Sequence, residues 1–281
     1  MAATADSGLR AVRHVRRFGM FERWLHGYLM FSFLGLAATG LPLIFSDTRW
    51  AAALARALGG FAVTGVLHRV FATIMIAVFL LHVATLLRRI VIGKDYSLLW
   101  GPTSLVPQPR DVSEMYQHFR WFVGLGPRPA FERYSYWEKF DYWAVFWGMA
   151  IIGGSGLLLW FPEAFARVLP GWIFNVAMVV HGEEALLAVG FIFTFHFFNG
   201  HLRPEKFPMD MVIFTGRLTE SELQHERPGE YERLRRTGEL EQLVADPPSR
   251  NAWLVGRVVG TTAVTIGLVL VGLIIYAVIG R

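Results

Sequence analysis

WIFNVAMVVHGEEALLAVGFIFTFHFFNG, residues 172–200, holds no lysine or arginine and only two acids, Glu183 and Glu184. A helix of that length, at ~1.5 Å per residue, crosses the ~30 Å hydrocarbon core of a bilayer. Two histidines interrupt it, His181 and His196. A second stretch repeats the arrangement. FAVTGVLHRVFATIMIAVFLLHVATLLRRIVI, residues 61–92, carries His68 and His82. Separations of 14 and 15 residues span roughly 21–22 Å along a helix and return to within about 40–60° of the starting direction. Each helix therefore shows two imidazoles on nearly one face, one near each side of the apolar layer. Two stacked metal centres fit that pattern better than a single catalytic site.

Working outward, the whole 281-residue chain is apolar: 54% hydrophobic, 17% charged, mean hydropathy +0.40. Composition points to an all-α integral membrane protein. Five segments qualify as spans by length: Arg23–Phe45, Phe61–Ile92, Phe140–Trp160, Trp172–Gly200 and Ala252–Ile279. The segment Trp50–Ala62 is too short and too charged, and reads as an interfacial turn or short helix. Arg16-Arg17-Phe18 ahead of the first apolar segment imitates an export signal. That segment is about 22 residues long and lacks a small-residue cleavage site, so a retained span is expected.

Basic residues alternate sides. Five lie at or before Arg23, eight in Arg88–Lys139 and eight in His201–Asn251, with Arg257 on the same side. Only Arg49, Arg56, Arg69, Arg167 and Arg281 fall opposite. The positive-inside bias puts the N-terminus in the cytoplasm and the C-terminus outside, as expected in a bacterial inner membrane. The pI of about 9.7 expresses this bias, and the spread of the charges argues against a nucleic-acid partner. Four regions follow: an N-terminal cytoplasmic segment (1–22), a transmembrane bundle (23–200) with a cytoplasmic insertion (93–137), a charged cytoplasmic segment (201–251) and a last span (252–281). Prolines punctuate the insertion, leaving room for one short helix near Val112–Val123. Thr219–Val244 alternates acid and base and should form short surface helices, either simply solvated or a docking surface.

The chain has no cysteine. Iron–sulfur clusters, thioether-attached haem and thiolate-ligated haem are thereby excluded. An ionisable residue inside the membrane marks function by default. One histidine alone is more simply a hydrogen-bonded core residue; four at matched depths, with His26 early in the first span, are better read as axial ligands of haem iron between facing helices. Two ligands per iron leave no open position, which suits electron transfer. Ten glycines in or beside the spans, Gly40 and Gly156 among them, would admit a flat macrocycle or an ordinary close helix contact. Arg69, beside His68, would neutralise haem propionates or simply snorkel to the interface.

These residues resemble a known family, the membrane cytochrome b subunit of formate dehydrogenases, hydrogenases and thiosulfate reductases. The matching segments are Arg23-Trp24-Leu25-His26, His68-Arg69, Glu138-Lys139-Phe140-Asp141-Tyr142-Trp143, Gly156-Leu157-Leu158-Leu159-Trp160-Phe161 and Thr215-Gly216-Arg217-Leu218-Thr219, with His181 and His196. The resemblance implies a four-helix haem-binding bundle, here with a fifth C-terminal transmembrane helix. It implies haem b held by His68 with His181 on the outer side, and by His26 with His196 on the inner side. His82 departs from that pattern and also suits the paired-histidine scheme of bc-type cytochromes. Depth, judged from the flanking arginines, favours His82 opposite His196. A third haem between His26 and His201 would then be possible, giving two or three haems in all; His201 otherwise reads as an interfacial polar residue or part of a quinone site.

The function implied is electron transfer across the membrane between the quinone pool and a periplasmic iron–sulfur or multihaem cytochrome c subunit. The chain would be an electron-transfer subunit of a quinone-linked oxidoreductase complex with no catalytic residue of its own, among membrane lipid. A transmembrane reductase resembling cytochrome b561, fed by a cytosolic donor, is the alternative. A haem-free anchor or transporter using histidine for metal or protons is a third.

Overall fold

The computed structural model describes residues 12–279. Residues 1–11 of the expected N-terminal segment, and 280–281 of the last span, lie outside the described residues. Five helices are long and apolar enough to cross a membrane. We label them α1 (Met20–Ile44), α3 (Phe61–Val91), α5 (Tyr136–Trp160), α6 (Trp172–Leu202) and α10 (Arg250–Ile279). Between them stand α2 (Arg49–Ala57), α4 (Pro109–Phe122), α7 (Glu220–Glu226), α8 (Pro228–Thr237) and α9 (Glu239–Leu243). All five expected spans thus have a long helix over them, and the expected short helices at Trp50–Ala62 and Val112–Val123 correspond to α2 and α4.

Local chemistry sets several boundaries. Ser135 caps α5 through a reciprocal capping box with Glu138, and Gln108 and Asp111 form the same box at α4, where Pro109 occupies the first turn. Two spans are not uniformly α-helical. α5 contains a π-turn at Met149–Gly153, next to the Gly153-Gly154 pair. α6 contains π-turns at Ile192–His196 and Phe198–Leu202. A π-turn adds a residue without advancing the helical phase by a normal step, and such bulges concentrate at functional sites. The turn between His181 and His196 thereby rotates the second histidine relative to an unbroken α-helix.

α1 packs along much of α3, and the C-terminal half of α5 packs on α6. The two pairs approach each other along few residues. α10 is not an appendage: it packs on α1 and on the π-turn of α6. Ala37, Leu41, Val189, Phe193, Phe197, Leu270 and Ala277 make that shared core. Gly267 lets α10 approach closely, because a Cβ there would run into Phe193 and Phe197.

The charged segment departs from the surface-helix expectation by building a small domain with its own core. Three short strands, β1 (His14–Arg16), β2 (Arg217–Thr219) and β3 (Val244–Ala245), pair antiparallel in the order β2-β1-β3. Val15, Leu218, Leu223, Leu234 and Leu240 fill the space between this sheet and α7–α9. The alternating charges pair largely within the chain. Glu230, 2% exposed, sits between Arg17 and Arg133. Arg233 meets Glu132 at 3.0 Å, and Arg13 meets Glu241 at 2.9 Å. The N-terminal strand, the 93–137 insertion and the 201–251 segment are thus clamped into one body at one end of the spans.

Candidate functional site

The imidazoles on the spans form two facing pairs. His68 of α3 faces His181 of α6, with ring centres 6.2 Å apart. His26 of α1 faces His196 of α6, with ring centres 6.4 Å apart. The first pair joins the start of α3 to the first half of α6; the second joins the start of α1 to the end of α6. Both sit where the α1–α3 pair meets the α5–α6 pair, and all four residues are half-buried.

The spacing tests whether a haem iron suits these sites. A metal–imidazole bond of about 2.0 Å, plus about 1.1 Å from ring nitrogen to ring centre, on each side of one metal gives about 6.2 Å. Both observed separations match. The polar partners also fit. Ligation through Nε2 requires that Nδ1 carry the proton and that an acceptor hold it. Nδ1 of His181 donates to the carbonyl oxygen of Ile152 at 2.9 Å, inside the π-turn of α5. Nδ1 of His196 donates to Oδ2 of Asp141 at 3.0 Å. Thr39 gives its own proton to the Gly35 carbonyl at 2.6 Å, leaving its oxygen to accept from Nδ1 of His68 at 3.0 Å. Three of the four rings are therefore held in the tautomer that leaves Nε2 free to act as a ligand.

Small residues make room for two of these rings. A Cβ on Gly40 would stand 3.0 Å from Cε1 of His68, and one on Gly156 2.9 Å from Cε1 of His181. Gly156 lies in the quoted Gly156–Phe161 segment, so the glycine in that motif has a steric reason. Gly35, by contrast, serves helix packing: its missing side chain is replaced by the ring of Phe71.

The remaining candidates sit as follows. His82 stands with Nε2 2.9 Å from the hydroxyl of Tyr142 and its ring against Phe146. Flanking arginines suggested a depth for His82 but not a direction, and the direction selects Tyr142. His201 packs on Phe197, and its buried Nδ1 has no hydrogen-bond partner. It lines one cavity with His26, His196, Asp141 and Asp210. Of the two inner candidates it is His196 whose ring faces His26, and His201 stands beside both in the cavity lining. Arg69 is exposed on α3 beside His68. Glu184 accepts a hydrogen bond from the Trp147 indole at 3.3 Å. Among the described residues, no group of three or more His, Asp or Glu side chains converges on a metal point.

Ion pairs border the His26–His196 end. Arg227 meets Glu138 at 2.7 Å, and Lys206 meets Glu226 at 2.6 Å and Asp210 at 3.1 Å. Burial opposes the charge on Lys206, but Asp210 and Glu226 outweigh it and hold its pKa above the ordinary lysine value. That end of the spans is thus walled by paired acidic and basic side chains, whereas the His68–His181 end carries few. Asp141 was legible only as part of a motif; a carboxylate at the sixth residue of an apolar span, with no acid after it in that span, is the signal that marks it. No family model matches the chain, and no curated protein does.

Proposed function

We propose that this chain is a membrane electron-transfer subunit holding two b-type haems, one between His68 and His181 and one between His26 and His196. The observation that carries the reading is the repeated ring separation, 6.2 and 6.4 Å, at two levels of one helical bundle. Bound there, haem b supplies a one-electron centre near each side of the membrane. The chain's own residues fix where each iron sits, lock the imidazole tautomers and set the local field. With both axial positions taken by histidine, neither site is built for oxygen chemistry.

The reading counts two haems because His26 stands opposite His196 while His82 is bonded to Tyr142. The cavity shared by His26, His196, His201 and Asp210 is the reading's quinone site. It adjoins the clamped ionic end, and His201 in its lining is the group that would exchange protons with a quinone ring. Counting basic residues places that end in the cytoplasm of a bacterial inner membrane. The His68–His181 end then faces the periplasm, where an iron–sulfur or multihaem cytochrome c subunit would exchange electrons with it.

Purified in lipid, the chain should show a Soret band and two haems per polypeptide by pyridine haemochromogen. One haem, three haems or none would refute the assignment as stated.

A further inference from the structure

α4, inside the 93–137 insertion, divides its circumference into three sectors at about 100° per residue. Asp111, Glu114, His118 and Trp121 face the protein and are buried or half-buried. Ser113, Gln117 and Arg120 form an exposed polar sector, where Gln117 bonds Ser113 at 3.0 Å. Val112, Met115, Tyr116, Phe119, Phe122 and Val123 fill the third sector, about 120° wide, and all are exposed; Phe119 and Phe122 are 61% and 64% exposed.

The docked sector fixes the level of the helix relative to the spans. Asp111 pairs with Lys139, in the first turn of α5, at 2.7 Å, and Lys139 is 1% exposed. The His118 ring lies among Phe122, Phe131 and Trp137 and bonds the Tyr136 hydroxyl at 3.1 Å. Just ahead of α4, the carbonyl of Leu105 accepts from the indole of Trp143, one turn further into the same span, at 3.1 Å. α4 therefore lies against the end of a membrane helix, where the apolar layer begins. Exposed apolar side chains are also present near the start of α5 at Phe140 and in the loop at Leu99 and Trp100. Arg120, on the border between the apolar and polar sectors, reaches back over the Tyr116 ring at 6.0 Å, as a snorkelling cation does at a headgroup layer.

We infer that α4 is an in-plane interfacial helix whose Val112–Val123 face is immersed in the phospholipid leaflet. Three sectors facing protein, water and a third environment need that environment to be apolar, and the bilayer edge already lies at that level. A helix of this kind sinks roughly 5–10 Å into the headgroup and acyl boundary. The helix thus fixes how deep the clamped end sits in the membrane, independently of what the histidines hold.

The cysteine-free sequence makes the test clean. Single variants Val112→Cys, Phe119→Cys, Ser113→Cys and Gln117→Cys of the full chain are spin-labelled in phospholipid nanodiscs. Accessibility to oxygen and to a nickel chelate is then measured by EPR. Labels at 112 and 119 should be reached by oxygen severalfold better than by nickel, with the order reversed at 113 and 117. Tyr116→Cys repeats the apolar reading should either apolar variant fail to fold. Nickel access at 112 and 119 equal to that at 117 would show a face open to water and overturn the inference. Labels there closed to both reagents would show a protein partner or second copy on the face, and would equally overturn it.

Discussion

Asp141 is the residue whose chemistry distinguishes the two histidine pairs. The His68–His181 rings lean on a hydroxyl and a backbone carbonyl, whereas His196 leans on a carboxylate. A carboxylate partner draws the Nδ1 proton and makes Nε2 a stronger donor, favouring ferric over ferrous iron. Asp141→Asn should raise the midpoint potential of one of the two centres by about 60 mV, the one-electron equivalent of tenfold in relative affinity. Asp141→Glu should restore most of it. Potentiometric titration of the haem bands checks this; two unmoved potentials would remove Asp141 from the account. The residue scale also shows where sequence reasoning stops. His68 opposite His181 was legible from depth and from the resemblance alike, and the resemblance also implies His26 opposite His196. Depth pointed instead to His82 opposite His196, because charge-flanked depth says nothing about azimuth, and π-turns in α6 alter azimuth without any sequence mark.

At the scale of elements, α4 and α5 are joined through the buried Lys139–Asp111 pair. Removing one partner leaves an unpaired charge among apolar groups, which costs about 3–5 kcal/mol, while replacing both by apolar residues of similar size is near neutral. Lys139→Met should therefore weaken the docking of α4 by about 3–5 kcal/mol, and adding Asp111→Asn, which removes the unpaired charge and keeps an acceptor for the Gln108 N–H, should recover part of the loss. Thermal unfolding and hydrogen exchange of α4 in nanodiscs would measure it. His118, on the same docked face, adds a pH dependence. Burial first, then the cations Arg128 and Arg203, hold its pKa below the ordinary value. The unfolded chain binds a proton below pH ~6.5 where the folded chain resists it. Stability from this group is thus complete above that pH and falls as pH drops through the window. A thermal midpoint that decreases between pH 7.5 and 5.5, less steeply in His118→Gln, is the expected result. The existence of α4 was readable from the prolines that bracket it. Its docking was not, since the ion pair joins residues 28 apart that carry no shared pattern.

The whole molecule has two unlike ends joined by five apolar helices. Spans were legible because 20-odd apolar residues have one stable form in a bilayer, a helix with its backbone bonds internal. The ionic clamp was not. Strands of two or three residues leave no alternation to detect, and the partners of Arg17 and Arg133 lie some 213 and 97 positions away at Glu230. That clamp closes over the His26–His196 end and leaves the His68–His181 end open, so the two proposed centres differ in surroundings as well as ligand geometry. The facing rings are nearly perpendicular in one pair, at 84°, and closer to aligned in the other, at 32°. Perpendicular imidazole planes leave two iron d orbitals nearly degenerate, so the ferric form of the first centre should give the more anisotropic low-spin signal. Low-temperature EPR of single alanine variants tests the pairing most directly. His68→Ala and His181→Ala should each abolish the more anisotropic signal, His26→Ala and His196→Ala the other, and His82→Ala neither. Loss of a low-spin signal in His82→Ala with both retained in His26→Ala would contradict the account.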